Sequence, residues 1–297
     1  MAANADVVRV ASFNLRNYTA SDRMVDKKWT PDYPKDEDEK TAVREILLSV
    51  RPDIVMFQEM GPPEYLEEFR LDLAREGLRY EYSAHMIAVD NVRCLAALSK
   101  IPFEKVEKIT DMGFTVSGEK MAVKRGLLAL TFKTDGREWT IYDAHIKSRY
   151  SKSGEKEANS RERIGEANAI RSRLNKIYKK AHSPLWLLVG DMNDTPGSSV
   201  WKRLTVKSGK SLGVDLRPVD SRGESWTYRY AKMDTYQRID MMLASDALSG
   251  AVKENSAKVY DGPEADKASD HRMVYVDLDL ENTPMPTDNN GVIDDEE

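Results

Sequence analysis

Leu185–Pro196 reads LWLLVGDMNDTP, an apolar run closed by a glycine and followed at once by Asp191, Asn193 and Asp194. The run has the length and composition of a buried strand. Buried strands seldom end in a cluster of oxygen-bearing side chains, because such groups are costly away from water unless they are paired or bind something. The stretch therefore predicts a buried sheet with a site at its rim.

Working outward, strands and helices alternate. Val7–Phe13 is short, β-branched and alternating, the pattern of a strand. Val43, Ile46, Leu47 and Val50 recur at the spacing of one helix face. Asp53–Glu59 is a second buried strand, and the helix after it is opened by Pro62 and Pro63 and closed by Gly77. Tyr80–Val89, Val92–Ser99, Leu127–Thr134 and Trp139–Ile146 read as consecutive strands. Glu155–Lys180 reads as a long helix turning Ile164, Ala167, Ile170, Leu174 and Ile177 inward. Strand-like runs follow at Leu185–Gly190, Trp226–Tyr230, Gln237–Leu243 and Met273–Leu280. This mixture of α/β alternation and antiparallel runs predicts an α/β protein with sheets packed together and helices outside. Asp26–Glu39 is expected to be a surface loop leading into a helix. Glu281–Glu297 is acidic, proline-bearing and poor in large apolar residues, so it is expected as a disordered tail behind one domain spanning residues 1–280.

Composition narrows the function. At 297 residues with 40% hydrophobic content the chain can bury a sizeable core. A net charge of -5 argues against a surface coated with lysine and arginine for bulk nucleic-acid binding, yet leaves room for a local basic groove. The single cysteine, Cys94, excludes an intrachain disulfide framework and lies in an apolar run, as a buried structural thiol would. No apolar stretch approaches the roughly 18–20 residues that span a membrane. The first ten residues lack the apolar core of a signal peptide, so the chain is expected to be intracellular or to have lost such a signal.

The other strand ends resemble the first. Asn14 follows Phe13, Glu59 follows Gln58, His145 lies near the end of its strand, Asp240 sits in RIDMML, and Asp270-His271 immediately precede the last strand. Polar strand ends are where α/β sheets build sites. Each has a bland reading: Asn14 closes a strand into a turn, Glu59 is a surface or capping acid, and His85 and His182 are surface or satisfied core histidines. A carboxylate inside a strand, as at Asp240, is harder to dismiss. Asp191–Gly197 is not an EF-hand, since Pro196 replaces the required glycine and no glutamate closes the loop. Neither G-x-S-x-G nor a P-loop is present. Taken together, Glu59 offers an oxygen ligand for a hard cation, Asp191 with Asn193 can polarise a water, and His271 oriented by Asp240 can stabilise a phosphoryl oxygen. That set suits metal-assisted hydrolysis of a phosphate ester.

The ordered motifs ASFNLR, FQEM, DAHIKS, GDMND, RIDMML and SDHRMV, spread from about Val7 to Leu280, resemble the endonuclease/exonuclease/phosphatase superfamily of deoxyribonuclease-like metallohydrolases. The resemblance implies a four-layer sandwich, with two packed mixed β-sheets flanked by helices. It implies that Glu59 is the principal ligand of magnesium (manganese or calcium being alternatives), with Asn14 beside it and Asp270 near the metal. It also implies that Asp191 orients or deprotonates the attacking water, that Asn193 touches the phosphate, and that His271, paired with Asp240, stabilises the transition state. Arg16 stands where abasic-site endonucleases carry an aspartate, and His145 stands where they lack a histidine. Both features resemble pancreatic-type deoxyribonucleases, sphingomyelinases and inositol-phosphate phosphatases. No counterpart is evident for the glutamate that holds that histidine in the deoxyribonucleases, since Asp90, Asn91 and Val92 occupy its neighbourhood. Similarity to bacterial, often secreted members makes a secreted monomer the expectation.

Two classes of function remain. One is a metal-dependent phosphodiesterase, most naturally a nuclease of low sequence specificity, with a phosphatase or phospholipid or small-molecule diesterase as the alternative. The other is a catalytically silent relative that binds phosphorylated ligands, which the filled catalytic positions disfavour. For nucleic acid as substrate, the basic residues Lys120, Lys124, Arg125, Lys147, Arg149 and Lys152 beside motif-bearing strands are the expected phosphate contacts, foremost Arg125, Lys147 and Arg149.

Overall fold

A computed structural model describes residues 7–283 except 135, 150–155, 180, 182–183 and 208–209. Two six-stranded sheets face each other. The first runs in the order Lys258–Val259, Val274–Leu278, Val8–Tyr18, Ile54–Met60, Cys94–Ser99, Tyr82–Met86. The second runs Val214–Asp215, Asp240–Ala244, Trp186–Asp191, Arg137–His145, Leu127–Thr134, Lys105–Ile109. Each sheet has one parallel pair at its centre, Val8–Tyr18 with Ile54–Met60 and Arg137–His145 with Trp186–Asp191. Parallel neighbours require a crossover, and here the crossovers carry the helices Glu37–Val50 and Lys156–Ile177. Strands that run parallel end at the same rim, so each sheet delivers two strand ends side by side.

The period-two alternation of the strands builds the layers. Val8 and Val10, Ile54 and Met56, Trp139 and Ile141, Leu187 and Val189, and Met242 and Ala244 point inward into one core between the sheets. Ala11, Phe13, Val55 and Phe57 point outward under Val43, Ile46, Leu47 and Phe69 of the helices Glu37–Val50 and Pro63–Arg75. Tyr142, Ala144 and Leu188 of the other sheet meet Ala167 and Ile170 of Lys156–Ile177 and Trp201 of Ser199–Thr205. The result is helix, sheet, sheet, helix, the four-layer sandwich. Followed past its last apolar residue, each inward face continues with polar groups: Ser12 and Asn14, Gln58, Asp143 and His145, Asp191, and Asp240. The candidate site is the polar end of the inter-sheet core.

Several local expectations change. Asp26–Glu39 is no loop: Ser21–Val25 and Lys28–Tyr33 pair across Asp26 and Lys27, whose φ of 48° and 65° match a primed hairpin turn. The next helix starts at Glu37, where the Asp36 carboxylate accepts from the Asp38 amide. Gly113–Val116 and Glu119–Ala122 form a similar hairpin about Ser117 and Gly118, both at positive φ. Ile177 is 43% exposed rather than inward. At the other end Leu280–Asn282 is a 3-10 turn, and the Arg137 guanidinium donates to the carbonyls of Glu281 (2.9 Å) and Thr283 (3.2 Å). The remainder of the acidic tail, together with Lys152 and His182, lies outside the described residues. Cys94 is buried, its thiol pushed up to about 11 by burial, which leaves it unreactive.

Candidate active site

In the second sheet, His145, Asp191 and Asp240 stand abreast in register across three strands. From the first sheet Asn14 closes against them, its amide donating to Asp191 Oδ2 at 3.0 Å. Alternation alone would turn Glu59 away from the inward side that Gln58 occupies. A register shift between Phe57 and Met60, with Glu59 at φ 62°, swings it into the cleft instead. Arg16, Asn17 and Asn193 share this left-handed conformation, at 49°, 52° and 49°. Such residues cost on the order of 1–3 kcal/mol each and cluster where a site demands them.

Asp191 is the hub. Its Oδ1 accepts from the Asn193 amide at 2.7 Å, and its Oδ2 accepts from the side chains of Asn14 and Asn193, both at 3.0 Å. The Nε2 atoms of His145 and His271 stand 3.4 and 3.7 Å from Oδ2, near enough for electrostatic coupling but beyond a good hydrogen bond. Burial pushes the Asp191 carboxyl up to about 7, helped by Asp240 and Glu59 and opposed by the charge of His271. His271 goes the other way: burial works against its charge, but Asp240, Asp191 and Asp270 outweigh it and raise it to about 10. Its Nδ1 donates to both Asp240 oxygens, at 3.0 and 3.2 Å, leaving Nε2 directed at Asp191. A neutral-pH site thus holds a charged imidazolium beside a carboxylate poised to exchange a proton.

His145 is fully enclosed and kept neutral, first by burial and then by the charges of Arg125, His271 and Arg93. Its Nε2 lies 3.8 Å from Glu59 Oε1, and its Nδ1 has no partner among the described residues. Asp90 is engaged elsewhere, by Arg125 (2.9 and 3.0 Å) and by the turn amides of Val92 and Arg93. His85 is satisfied by the Gly61 carbonyl at 2.8 Å, outside the site.

The cleft above these groups has a volume of about 530 Å³ and is lined by Glu59, Asp191, Asn193, Asp270 and His271 on its floor. Its rim is basic: Arg16, Arg93, Lys124 and Lys147. Lys124 and Lys147 are brought together by the buried Glu166 carboxylate, which accepts both their backbone amides, at 3.0 and 2.7 Å. Arg125 also lines the cleft but is 7% exposed and bound to Asp90, so its charge is already engaged. Arg149 lies outside the lining, with its guanidinium on the Gln237 side chain. Lys120 lies in the Glu119–Ala122 strand, also outside the lining. Residues the motif reading did not assign to the site are Arg16, Asn17, Arg93 and Tyr228, whose ring sits 4.9 Å from that of His271. Thr227 escaped too: its hydroxyl accepts the amides of Ile239 and Asp240 at 3.1 Å each and so fixes the Asp240 strand.

The residues present fit a hard divalent cation. Glu59 lines the cleft, with its Oε2 accepting the Asn17 amide at 2.8 Å and its Oε1 3.8 Å from His145 Nε2. Asp270 lines the same cleft as Glu59, and Ser269 beside it donates its hydroxyl to the Asn14 backbone carbonyl at 2.8 Å, while the Asn14 side-chain oxygen accepts the Arg16 amide at 3.0 Å. One or two carboxylates with water is the donor set magnesium prefers. A second cluster, Asp191, Asp240 and His271, has ligand atoms within 4.8 Å of one another. There His271 Nδ1 is already bonded to Asp240 and Asp191 is held by Asn14 and Asn193, so the Glu59 side is the better candidate for a cation.

His271 and Asp240 act as one unit, and this predicts a specific pattern. His271→Ala should lower kcat by roughly 10²–10³-fold, the usual loss for a preorganised donor. Asp240→Asn should cost less in the same direction. The double variant should be clearly less impaired than the product of the singles. Steady-state kinetics on a small diester checks this, and strict multiplicativity would count against the pairing.

Residues 11–271 match the endonuclease/exonuclease/phosphatase family. No curated protein matches by sequence. Among solved structures, the human Nocturnin catalytic domain with bound sulfate is 21% identical, covering 92% of this chain and 94% of that one at a TM-score of 0.63. A humanized zebrafish (D. rerio) TDP2 is 16% identical, with 92% and 99% covered and a TM-score of 0.60. A Staphylococcus aureus beta toxin variant with bound magnesium ions is 14% identical, with 91% and 98% covered and a TM-score of 0.61. At these identities the structures speak for the fold, and the family match over most of the chain speaks for membership. The chain belongs to the endonuclease/exonuclease/phosphatase family.

Proposed function

We propose that this protein is a metal-dependent phosphodiesterase that cleaves nucleic acid with little sequence preference. The observation that carries the reading is the buried Asp191, held by Asn14 and Asn193 and facing an imidazolium clamped by Asp240. A divalent cation held by Glu59, Asp270 and Asn14 would neutralise phosphoryl charge as a Lewis acid. Asp191 takes the proton of a water as its oxygen bonds to phosphorus, and the bond to the leaving oxygen breaks with its electron pair on that oxygen, which takes a proton from solvent. His271 directs Nε2–H at a phosphoryl oxygen, where charge grows in the transition state. Asp240 keeps the ring charged and oriented. His145, neutral, lends a donor without adding charge.

The choice of nucleic acid rests on the rim. An acidic chain that gathers Arg16, Arg93, Lys124 and Lys147 around one cleft favours a polyanion gripped through phosphates, which carry no sequence information. Cleavage of plasmid DNA should therefore fall steeply with salt, by roughly tenfold or more between about 50 and 200 mM. Lys124→Ala with Lys147→Ala should raise KM on DNA strongly and affect bis-p-nitrophenyl phosphate far less. A panel of DNA, RNA, sphingomyelin and inositol phosphates tests the choice. DNA and RNA left intact while a lipid or inositol phosphate is hydrolysed would transfer the reading to a phospholipid or small-molecule phosphoesterase.

A further inference from the structure

One layer below the candidate catalytic groups lies a second set of polar residues, inside the same motifs, to which neither the motif reading nor the proposed chemistry gives a role. Ser12 precedes Asn14 by two positions on the same inward face, and Asp143 precedes His145 in the same way. Gln58 adjoins Glu59, and Gly190 adjoins Asp191. The Gln58 amide donates to Asp143 Oδ1 at 2.7 Å, across the gap between the sheets, and lies 3.1 Å from the Ser12 hydroxyl. Gln58 and Asp143 are 0% exposed and Ser12 is 2% exposed. Gly190 is part of the arrangement: a Cβ there would stand 2.7 Å from Asp143 Oδ1 and 2.0 Å from the Ala144 carbonyl, and its φ is 120°. Only glycine lets the Asp143 carboxyl lie across the strand that ends in Asp191.

No cation pairs with Asp143 among the described residues, and its Oδ2 and Gln58 Oε1 have no partner there. A bare carboxylate so placed would be prohibitively costly. Burial pushes this carboxyl well above the ordinary aspartate range and so favours its neutral form. A neutral acid whose carbonyl accepts from a glutamine is chemically close to an asparagine in the same place.

We propose that Asp143, with Gln58 and Ser12, is a positioning strut that sets the spacing between the two sheets directly beneath the active site. The first sheet supplies Asn14 and Glu59, and the second supplies His145, Asp191 and Asp240. The single direct hydrogen bond between these groups across the cleft, Asn14 to Asp191, depends on that spacing. Cation binding relies on Glu59, Asp270 and Asn14 and should survive loss of the strut, whereas turnover needs both sheets in place.

The activity arm of the test rests on the phosphodiesterase reading. Asp143→Ala and Gln58→Met each should lower kcat on bis-p-nitrophenyl phosphate by roughly 10²-fold, the cost of an ångström-scale misplacement, with KM little changed. The double variant should lose no more than either single one. Asp143→Asn keeps the acceptor and the neutral charge, so it should retain near wild-type kcat. Independently of activity, the Asn14 side-chain amide protons, observed by NMR, should carry the shift of a hydrogen bond to a carboxylate in the wild type and in Asp143→Asn. That shift should be lost in Gln58→Met. Folded Asp143→Ala and Gln58→Met proteins that turn over normally would overturn the strut, and so would an Asp143→Asn variant as impaired as Asp143→Ala. If the wild type hydrolyses no phosphodiester, the catalytic reading fails and the Asn14 resonance alone decides for or against the strut.

Discussion

Asp191→Asn is expected to lower kcat by roughly 10²–10⁴-fold, the contribution of a general base, while substrate and metal still bind. Two effects combine. The amide takes no proton from water, and it also lacks the second acceptor that Asp191 needs. With its carbonyl toward Asn14 and the Asn193 side chain, its NH2 confronts the Asn193 backbone amide, which now donates to Oδ1 at 2.7 Å. Stability should stay level. Asp191 is 1% exposed beside a second buried carboxylate, Asp240, with one imidazolium between them. Removing one of the two negative charges leaves a balanced Asp240–His271 pair, which offsets the acceptor lost to the Asn193 amide, so the melting temperature should change little. Sites built for chemistry commonly carry such strain. Turnover at the wild-type rate in a folded Asp191→Asn protein would leave Asp191 a structural residue.

Chelation is the second large effect. Activity should vanish in EDTA and return with magnesium or manganese, because among the described residues His271 and the rim cations face a phosphate that must approach the carboxylates of Glu59 and Asp270. Arg93 and Arg16 stand 4.0 Å from Glu59 and Asp270 respectively and are too solvated to neutralise it alone. Glu59→Gln preserves size and the left-handed backbone but removes the charge. It should cut kcat/KM by roughly 10²-fold and raise the metal concentration for half-maximal rate, with an unchanged melting temperature in chelator. Isothermal titration with magnesium chloride gives the same answer without substrate. Full activity in EDTA would end the metal-assisted reading.

Much of the framework was legible in the chain. The run Leu185–Val189 declares a buried strand by composition, and the period-two faces of Val8–Asn14, Ile54–Gln58 and Trp139–His145 tell which residues share a side. The polar residues that end these strands, Asn14, Glu59, His145 and Asp191, mark which rim of the sheets carries the candidate site. The hairpin at Ser21–Tyr33 was not legible. Its turn is made by Asp26 and Lys27 rather than by the asparagine and glycine that usually announce positive φ, and its strands are largely exposed.

By itself, then, the sequence determined the α/β class and the polar strand ends, which follow from periodicity and composition within a dozen residues, while the layers and the membership of the site followed from the family resemblance of its motifs. Tertiary structure alone decided who touches whom. Periodicity reports a face but not a neighbour, so the pairing of His271 with Asp240, 31 positions away, was expected from the family resemblance and not from the strand pattern. Arg125 and Lys124 are adjacent cations in sequence, yet Asp90 engages the first and leaves the second on the rim. Glu59 reaches the cleft through a bulge and a left-handed backbone that alternation would never predict. Asp143 looked like one more strand residue; the closure of the two sheets buried it against Gln58, a partner 85 positions distant.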